Sequence, residues 1–245
     1  DESFAALRVL ADQLDVRVQI HLHETAAEIE ISLRSTGKRP FERLIDAGLV
    51  NRSLLAVHAV HMVDEEVARF ADAGVSIAHC PNSNLKLASG IANIAKYREA
   101  GLNVALGTDG AASNNVLDMF SEMRTAALLA KATASDASAI TASEALHMAT
   151  LGGAQALGLE RSTGSIETGK MADLACVDLS NLNSQPVYDV ISQLVYAVRS
   201  DQVADVWVGG RHQLDNGEFA HIDTDGLIAR CNEWRERIAA TGEIQ

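Results

Sequence analysis

Apolar and polar positions along the chain follow two alternating rhythms. Phe4, Leu7, Leu10 and Leu14 recur at helical spacing, so residues 3–14 read as a helix packed on one side. Val16 to His21 then alternates as a strand, and a second helical stretch starts at about Ala26. Pro40 opens a short helix through Ala47 that Gly48 ends. Leu54–His58 is an apolar run with strand character, and the acidic helix Asp64–Ala73 after it closes on Gly74. Val75–His79 reads as a third strand. A Pro/Asn/Ser loop from Pro81 to Gly90 leads to a helix over 91–100, ended by Gly101. Asn103–Gly107 is a fourth strand, after which Asn114 or Asn115 caps a long helix to about Lys131. A further helix spans Ser143–Leu157.

Strand and helix repeated four times argue for parallel βα units in an α/β fold. Four such units make half of a (β/α)8 TIM-type barrel, with a small doubly wound sheet as the alternative. From about Gly164 the texture changes. Short strands at Asp173–Val177 and Val203–Val208 alternate with Gly/Asn turns, and a closing helix covers 225–240. There is no internal repeat and no low-complexity segment.

Composition narrows the functional classes. Of 245 residues, 47% are hydrophobic and 22% charged, which suits an ordinary packed core. The formal net charge of -13 argues against nucleic acid, since phosphate contacts need a basic face, and against an anionic membrane surface. A small neutral or zwitterionic ligand stays open. Cys80, Cys176 and Cys231 are widely separated and form no C-x-x-C pair, so they read as reduced thiols of a cytoplasmic protein. No apolar run approaches the roughly 18 residues of a membrane span. The chain opens on Asp1-Glu2-Ser3 without an initiator Met, which leads us to expect that upstream sequence is missing.

The ionisable residues carry the strongest signal. His21, His58, His79 and Asp109 each stand at or just beyond the C-terminal end of a different strand, the face on which catalytic groups of a parallel barrel converge. One histidine in such a place is usually a satisfied rim residue; four successive strands ending this way point to a metal or acid–base site. Imidazole and carboxylate together suit zinc, iron or manganese. In His21-Leu22-His23-Glu24 the two histidines could chelate as an H-x-H pair, or Glu24 could swing over a ligand at His21 as a proton shuttle; spacing leaves both readings open. His61 reads as a surface or capping residue, and His147, His212 and His221 as structural or exposed. Cys80 reads as a small buried hydrophobe and Lys86 as a solvated lysine.

Four stretches together resemble the amidohydrolase superfamily and, within it, the 5-methylthioadenosine/S-adenosylhomocysteine deaminases. They are Ile20–Thr25, Val57–His61, Ala78–Leu87 and Leu106–Asn115. A fifth run, Gly164–Leu174, resembles the turn by which these enzymes pass from barrel to β-sandwich. The similarity covers almost the whole chain in the family's order. It implies that residues 1–160 form the second half of a metal-dependent hydrolase barrel, 161–220 part of a small β-sandwich, and 221–245 a C-terminal helix.

The resemblance also implies roles. His21 and Asp109 bind one divalent metal ion, zinc first, with iron or manganese as alternatives. Glu24, His58 and Asp109 are catalytic. Glu24 shuttles protons at the purine, Asp109 takes one from the attacking water, and His58 stabilises the tetrahedral centre, with Glu24 and Asp109 also contacting substrate. His79 and the Asn82–Leu87 loop shape the pocket, and His23 has no assigned role.

The implied reaction converts an adenine nucleoside (5′-methylthioadenosine, S-adenosylhomocysteine or adenosine) to its inosine form with release of ammonia. Alternatives are a guanine-type deaminase, a triazine chlorohydrolase or a non-catalytic remnant. The family further implies a homo-oligomer, dimer or tetramer. It also implies an H-x-H ligand pair and half of the β-sandwich that these 245 residues do not supply. A half-barrel has open sheet edges, so residues 1–245 are expected not to form a stable monomer alone; a monodisperse, cooperatively melting 1–245 polypeptide would refute this.

Overall fold

The computed structural model describes residues 2–241. Helix α1 (Glu2–Leu14) leads into β1 (Val18–Leu22), α2 (Ala26–Thr36), α3 (Pro40–Asp46), β2 (Leu54–His58), α4 (Asp64–Ala73) and β3 (Ser76–His79). There follow α5 (Pro81–Lys86), α6 (Ile94–Glu99), β4 (Asn103–Leu106), α7 (Ala111–Asn114), α8 (Met119–Ala134), α9 (Ala142–Ala149) and α10 (Leu151–Leu157). The four strands pair in sequence order and all in parallel, so this is an α/β fold on a parallel sheet, consistent with part of a barrel. Register brings Leu22 opposite His58, and His79 opposite Leu106, so the C-terminal strand ends lie level.

Several local expectations were shifted by side-chain chemistry. β1 starts at Val18 because the Val16 N–H is taken by the Ala11 carbonyl at the end of α1. The Pro81–Gly90 segment is not all loop: Pro81 sits in the first turn of α5, where its missing N–H costs nothing. Asn114 and Asn115 do not cap the long helix. Asn115 ends α7 with φ +70°, and Asp118 caps α8 by accepting from the N–H groups of Phe120 and Ser121. The helix expected over 143–157 breaks at Thr150 (φ −125°, ψ −97°) into α9 and α10.

The main core lies between one face of the sheet and the helices. Leu22, Leu54, Ala56, Ile77 and Val104 from the strands meet Phe41, Leu44, Phe70, Ile94, Met123 and Met148 from the helices. Phe41 and Phe70 pack with ring centroids 5.1 Å apart. On the opposite face Leu55 and Ala105 pack with Ala156 of α10, whereas Gln19 and His21 of β1 are exposed.

Beyond α10 come β5 (Leu174–Val177), α11 (Val190–Tyr196), β6 (Val203–Val208), β7 (Arg211–Asp215), β8 (Glu218–Phe219) and α12 (Thr224–Ala240). The four strands form one antiparallel sheet in sequence order. Helix α12 carries no buried residue among the described ones, and Leu227, Ile228 and Trp234 on it are exposed. No helix of the described residues is long and apolar enough to cross a membrane.

A buried ion cluster ties the early elements together. Arg39 grips Glu66 of α4 with two hydrogen bonds, 2.6 and 3.0 Å long, and also donates to the His61 carbonyl. His23, fully buried, accepts the Phe41 N–H on Nε2 and turns Nδ1 to within 3.3 Å of Glu66. That is the structural place of the histidine to which sequence assigned no role. Burial alone would push the Glu66 carboxyl up, yet the bonds from His23 and Arg39 outweigh it and hold the group at about 2.

Because that value lies below the ordinary 4.5, ionised Glu66 contributes stability that is present above pH 4.5 and lost as pH falls towards 2. Glu66→Gln is therefore expected to cost about 3–5 kcal/mol at neutral pH and to flatten the acid limb of denaturation between those values, read from urea midpoints against pH. Burial, followed by the charges of Asp109 and Glu122, pushes the Cys80 thiol up to about 12, so the thiolate reagents attack is scarce. Native alkylation at pH 8 mapped by mass spectrometry should mark the exposed Cys176 and Cys231 but spare Cys80 until the protein is unfolded.

Candidate active site

Level strand ends place three ligating side chains together. His21 closes on Asp109 with Nε2 3.9 Å from Oδ1, and the His21 and His58 rings stack with centroids 5.2 Å apart. One ligating atom from each of His21, His58 and Asp109 lies within 4.8 Å of the others. The carboxylate of Glu24, on the turn after β1, reaches to 3.8 Å from His58 Nε2. His58, Ala59 and Asp109 all adopt positive φ, at +71°, +49° and +59°, an uncommon region for residues with a Cβ. Such strain persists where the surroundings over-determine it, and it gathers at functional sites.

Each group is held by neighbours from other loops. His58 Nδ1 lies 2.8 Å from the Asn84 side-chain oxygen in a buried contact. With Nδ1 donating there, Nε2 is left to face Glu24. The Tyr97 hydroxyl donates to the Ala59 carbonyl at 2.7 Å, bracing the turn after β2. Asp109 Oδ2 accepts from Ser83 (2.7 Å) and Ser113 (2.5 Å), leaving Oδ1 towards His21. Burial works to raise the Asp109 pKa, but these two hydroxyls, the Gly110 N–H and nearby His58 bring it below the ordinary carboxylate value.

Glu24 is anchored twice over. Its Oε1 accepts from Ser89 at 3.1 Å, and Glu28 accepts the backbone N–H groups of His23 and Glu24, fixing the turn. His61 lies 2.7 Å from the Ser89 carbonyl through Nε2, so it is a brace for the Glu24 loop rather than a surface histidine. Gly90 follows at φ +122°, where a Cβ would stand 2.9 Å from Val60 and be strained twice over.

His79 is fully buried beside this site, its Nδ1 without a partner among the described residues. Burial, helped by His58, lowers its pKa to about 3, so it stays neutral; among the described residues it joins no ligand cluster. His212 pairs with Asp205 at 2.9 Å on the antiparallel sheet, away from the parallel strands.

Two imidazoles and a carboxylate from three strand ends match the donor set of a divalent transition metal. The His21 side chain, on edge strand β1, is 62% exposed, whereas His58 is buried. The structure brings together His21, Glu24, His58 and Asp109, which the sequence had singled out, and adds Ser83, Asn84, Ser89 and Ser113, which it had not singled out as individuals. Their only trace was the Pro/Asn/Ser character of 81–90 and the Ser113-Asn114-Asn115 run.

Known proteins are similar to this chain. The chain is 45% identical over 240 residues to a 5-methylthioadenosine/S-adenosylhomocysteine deaminase of Teredinibacter turnerae, covering 98% of this chain and 54% of the relative. A Moorella thermoacetica protein of the same name is 46% identical over 220 residues, covering 90% and 51%. A crystal structure of an adenosine deaminase from Xanthomonas campestris with bound zinc superposes with a TM-score of 0.95 at 52% identity, covering 97% of this chain and 54% of that one. An atrazine chlorohydrolase from Arthrobacter aurescens complexed with zinc superposes at 0.90 with 32% identity, covering 95% and 51%. The chain thus spans about half the length of the relatives it matches. Residues 1–212 match the amidohydrolase family, and with the site above this chain belongs to that family.

Proposed function

We propose that this chain forms part of a metal-dependent deaminase acting on adenine nucleosides, with 5′-methylthioadenosine and S-adenosylhomocysteine as the first substrates to try. The observation that carries the proposal is the convergence of Glu24, His58 and Asp109, from three different strand ends, around an opening that His21 shares. The names of the relatives at 45% and 46% identity favour the nucleoside over the triazine reading, whose structural match is 32% identical. On this reading residues 1–160 are half of an eight-stranded barrel, 161–220 belong to a β-sandwich, and 221–245 are a terminal helix. Further metal ligands come from the length of the family that this chain does not span.

His21 and Asp109 would hold the metal, zinc first as in the zinc-bound adenosine deaminase that this chain resembles, and the ion when bound supplies the Lewis acidity that makes water a nucleophile at neutral pH. The remaining work falls to side chains. Asp109, kept ionised by two hydroxyls, accepts a proton from the attacking water. Oxygen bonds to C6 of the purine while Glu24 protonates the adjacent ring nitrogen N1. Asp109 then gives up its proton, which Glu24 relays to the exocyclic nitrogen; the C6–N bond breaks, ammonia leaves, and the C6 hydroxyl proton returns to Glu24 as the carbonyl forms. His58, its ring set by Asn84, stabilises the charge of the tetrahedral centre through Nε2 when that nitrogen also carries a proton.

The test is ammonia release by the full-length, zinc-loaded gene product offered methylthioadenosine, S-adenosylhomocysteine, adenosine and guanine. The first two should turn over, and Glu24→Gln should lower kcat by about 10²–10⁴-fold with zinc still bound. Stoichiometric zinc without turnover of any adenine nucleoside would sink the substrate assignment and leave the metal chemistry standing.

A further inference from the structure

Glu122 is a fully buried carboxylate that the mechanism above does not use. It projects from the first turn of α8, and among the described residues no Lys, Arg or His pairs with it. Its partners are amides. Oε2 accepts the Asn82 backbone N–H at 3.2 Å, while Oε1 accepts both the Asn82 side-chain amide at 2.9 Å and the Asn114 side-chain amide at 2.7 Å. A buried charge served only by neutral donors is costly to place, and a core position on α8 would hold an apolar residue more cheaply. The arrangement therefore calls for a reason beyond packing.

The reason lies in what the two asparagines carry. Asn82 is followed by Ser83, which donates to Asp109 Oδ2, and by Asn84, which contacts His58 Nδ1. Asn114 follows Ser113, the other donor to Asp109 Oδ2, and its own amide also donates to the Thr108 carbonyl beside Asp109 at 2.6 Å. One carboxylate thus joins the segment after β3 to the segment after β4, and between them those segments hold Asp109 and His58.

We propose that Glu122 is a positioning residue for the metal centre. It clamps the Ser83/Asn84 and Ser113/Asn114 segments at one separation, so that both hydroxyls reach Asp109 and Oδ1 stays aimed at His21. A carboxylate suits the task because it accepts on both oxygens and donates on neither. Glutamine keeps the shape but must offer an amide N–H to at least one N–H donor, so the clamp opens without a cavity. The proposal rests on the metal-site reading above.

The test compares wild type, Glu122→Gln and Asn114→Ala in the full-length protein by zinc affinity from chelator competition, by the melting midpoint of the metal-free form, and by kcat and KM. Outer-shell partners of metal ligands typically change metal affinity or activity by about 10–100-fold. Glu122→Gln should weaken zinc by that factor and lower kcat more than it raises KM, with the metal-free midpoint little changed. Asn114→Ala removes one strut and should give a smaller loss of zinc affinity in the same direction; it decides the matter if the Gln variant does not fold. A lowered midpoint with wild-type zinc affinity in the folded variant makes Glu122 merely structural and overturns the inference alone. Wild-type protein that takes up no zinc overturns the metal-site reading and the inference with it.

Discussion

Parallel pairing in register is the constraint from which the rest of this structure follows. Each strand must run the same way as its neighbour, so every connection returns through a helix and every strand ends at the same level. Leu22 lies beside His58 and His79 beside Leu106, and whatever follows those positions shares one face. His21, Glu24, His58 and Asp109 meet there although up to 88 residues of chain separate them. The left-handed backbone at His58, Ala59 and Asp109 is the local consequence: the chain turns sharply off each strand, and the Tyr97, Ser83 and Ser113 bonds hold it there.

Three buried or half-buried carboxylates show how environment sorts one chemical group into different duties. Glu66 meets a guanidinium and an imidazole, and its pKa drops to about 2; it is a joint between α4 and the start of α3. Asp109 meets hydroxyls on one oxygen and a histidine on the other, and its pKa is lowered while one oxygen stays available. Glu122 meets only amides, and burial leaves its pKa raised. The strength of the countercharge decides how far each group departs from its ordinary value.

Order of burial separates the two parts of the chain. The parallel sheet has an extended apolar core on its helical face, whereas β5–β8 form a single antiparallel layer of half-buried and exposed residues, and α12 buries none. Within the parallel sheet the asymmetry repeats. β2, in the interior, is buried at every residue, while edge strand β1 leaves Gln19 and His21 exposed.

Periodicity by itself determined the order of elements from α1 to β4, α5 excepted, because apolar spacing and glycine stops at Gly48, Gly74 and Gly101 are written locally. It also determined that histidines and an aspartate end the strands, which is enough to propose a metal. What it left open depended on competition between caps. Asp118 displaced Asn114 and Asn115 at the start of α8, and Thr150 split an otherwise continuous helical pattern, choices settled by which hydrogen bonds the packed chain can complete. Local spacing likewise could not separate the surroundings of His23 from those of Glu24. The tertiary structure buries His23 against Glu66 and turns Glu24 towards His58. Ser83, Asn84, Ser89 and Glu122 took their places for the same reason: each acts on a residue 26 or more positions away, and only folding makes those distances short.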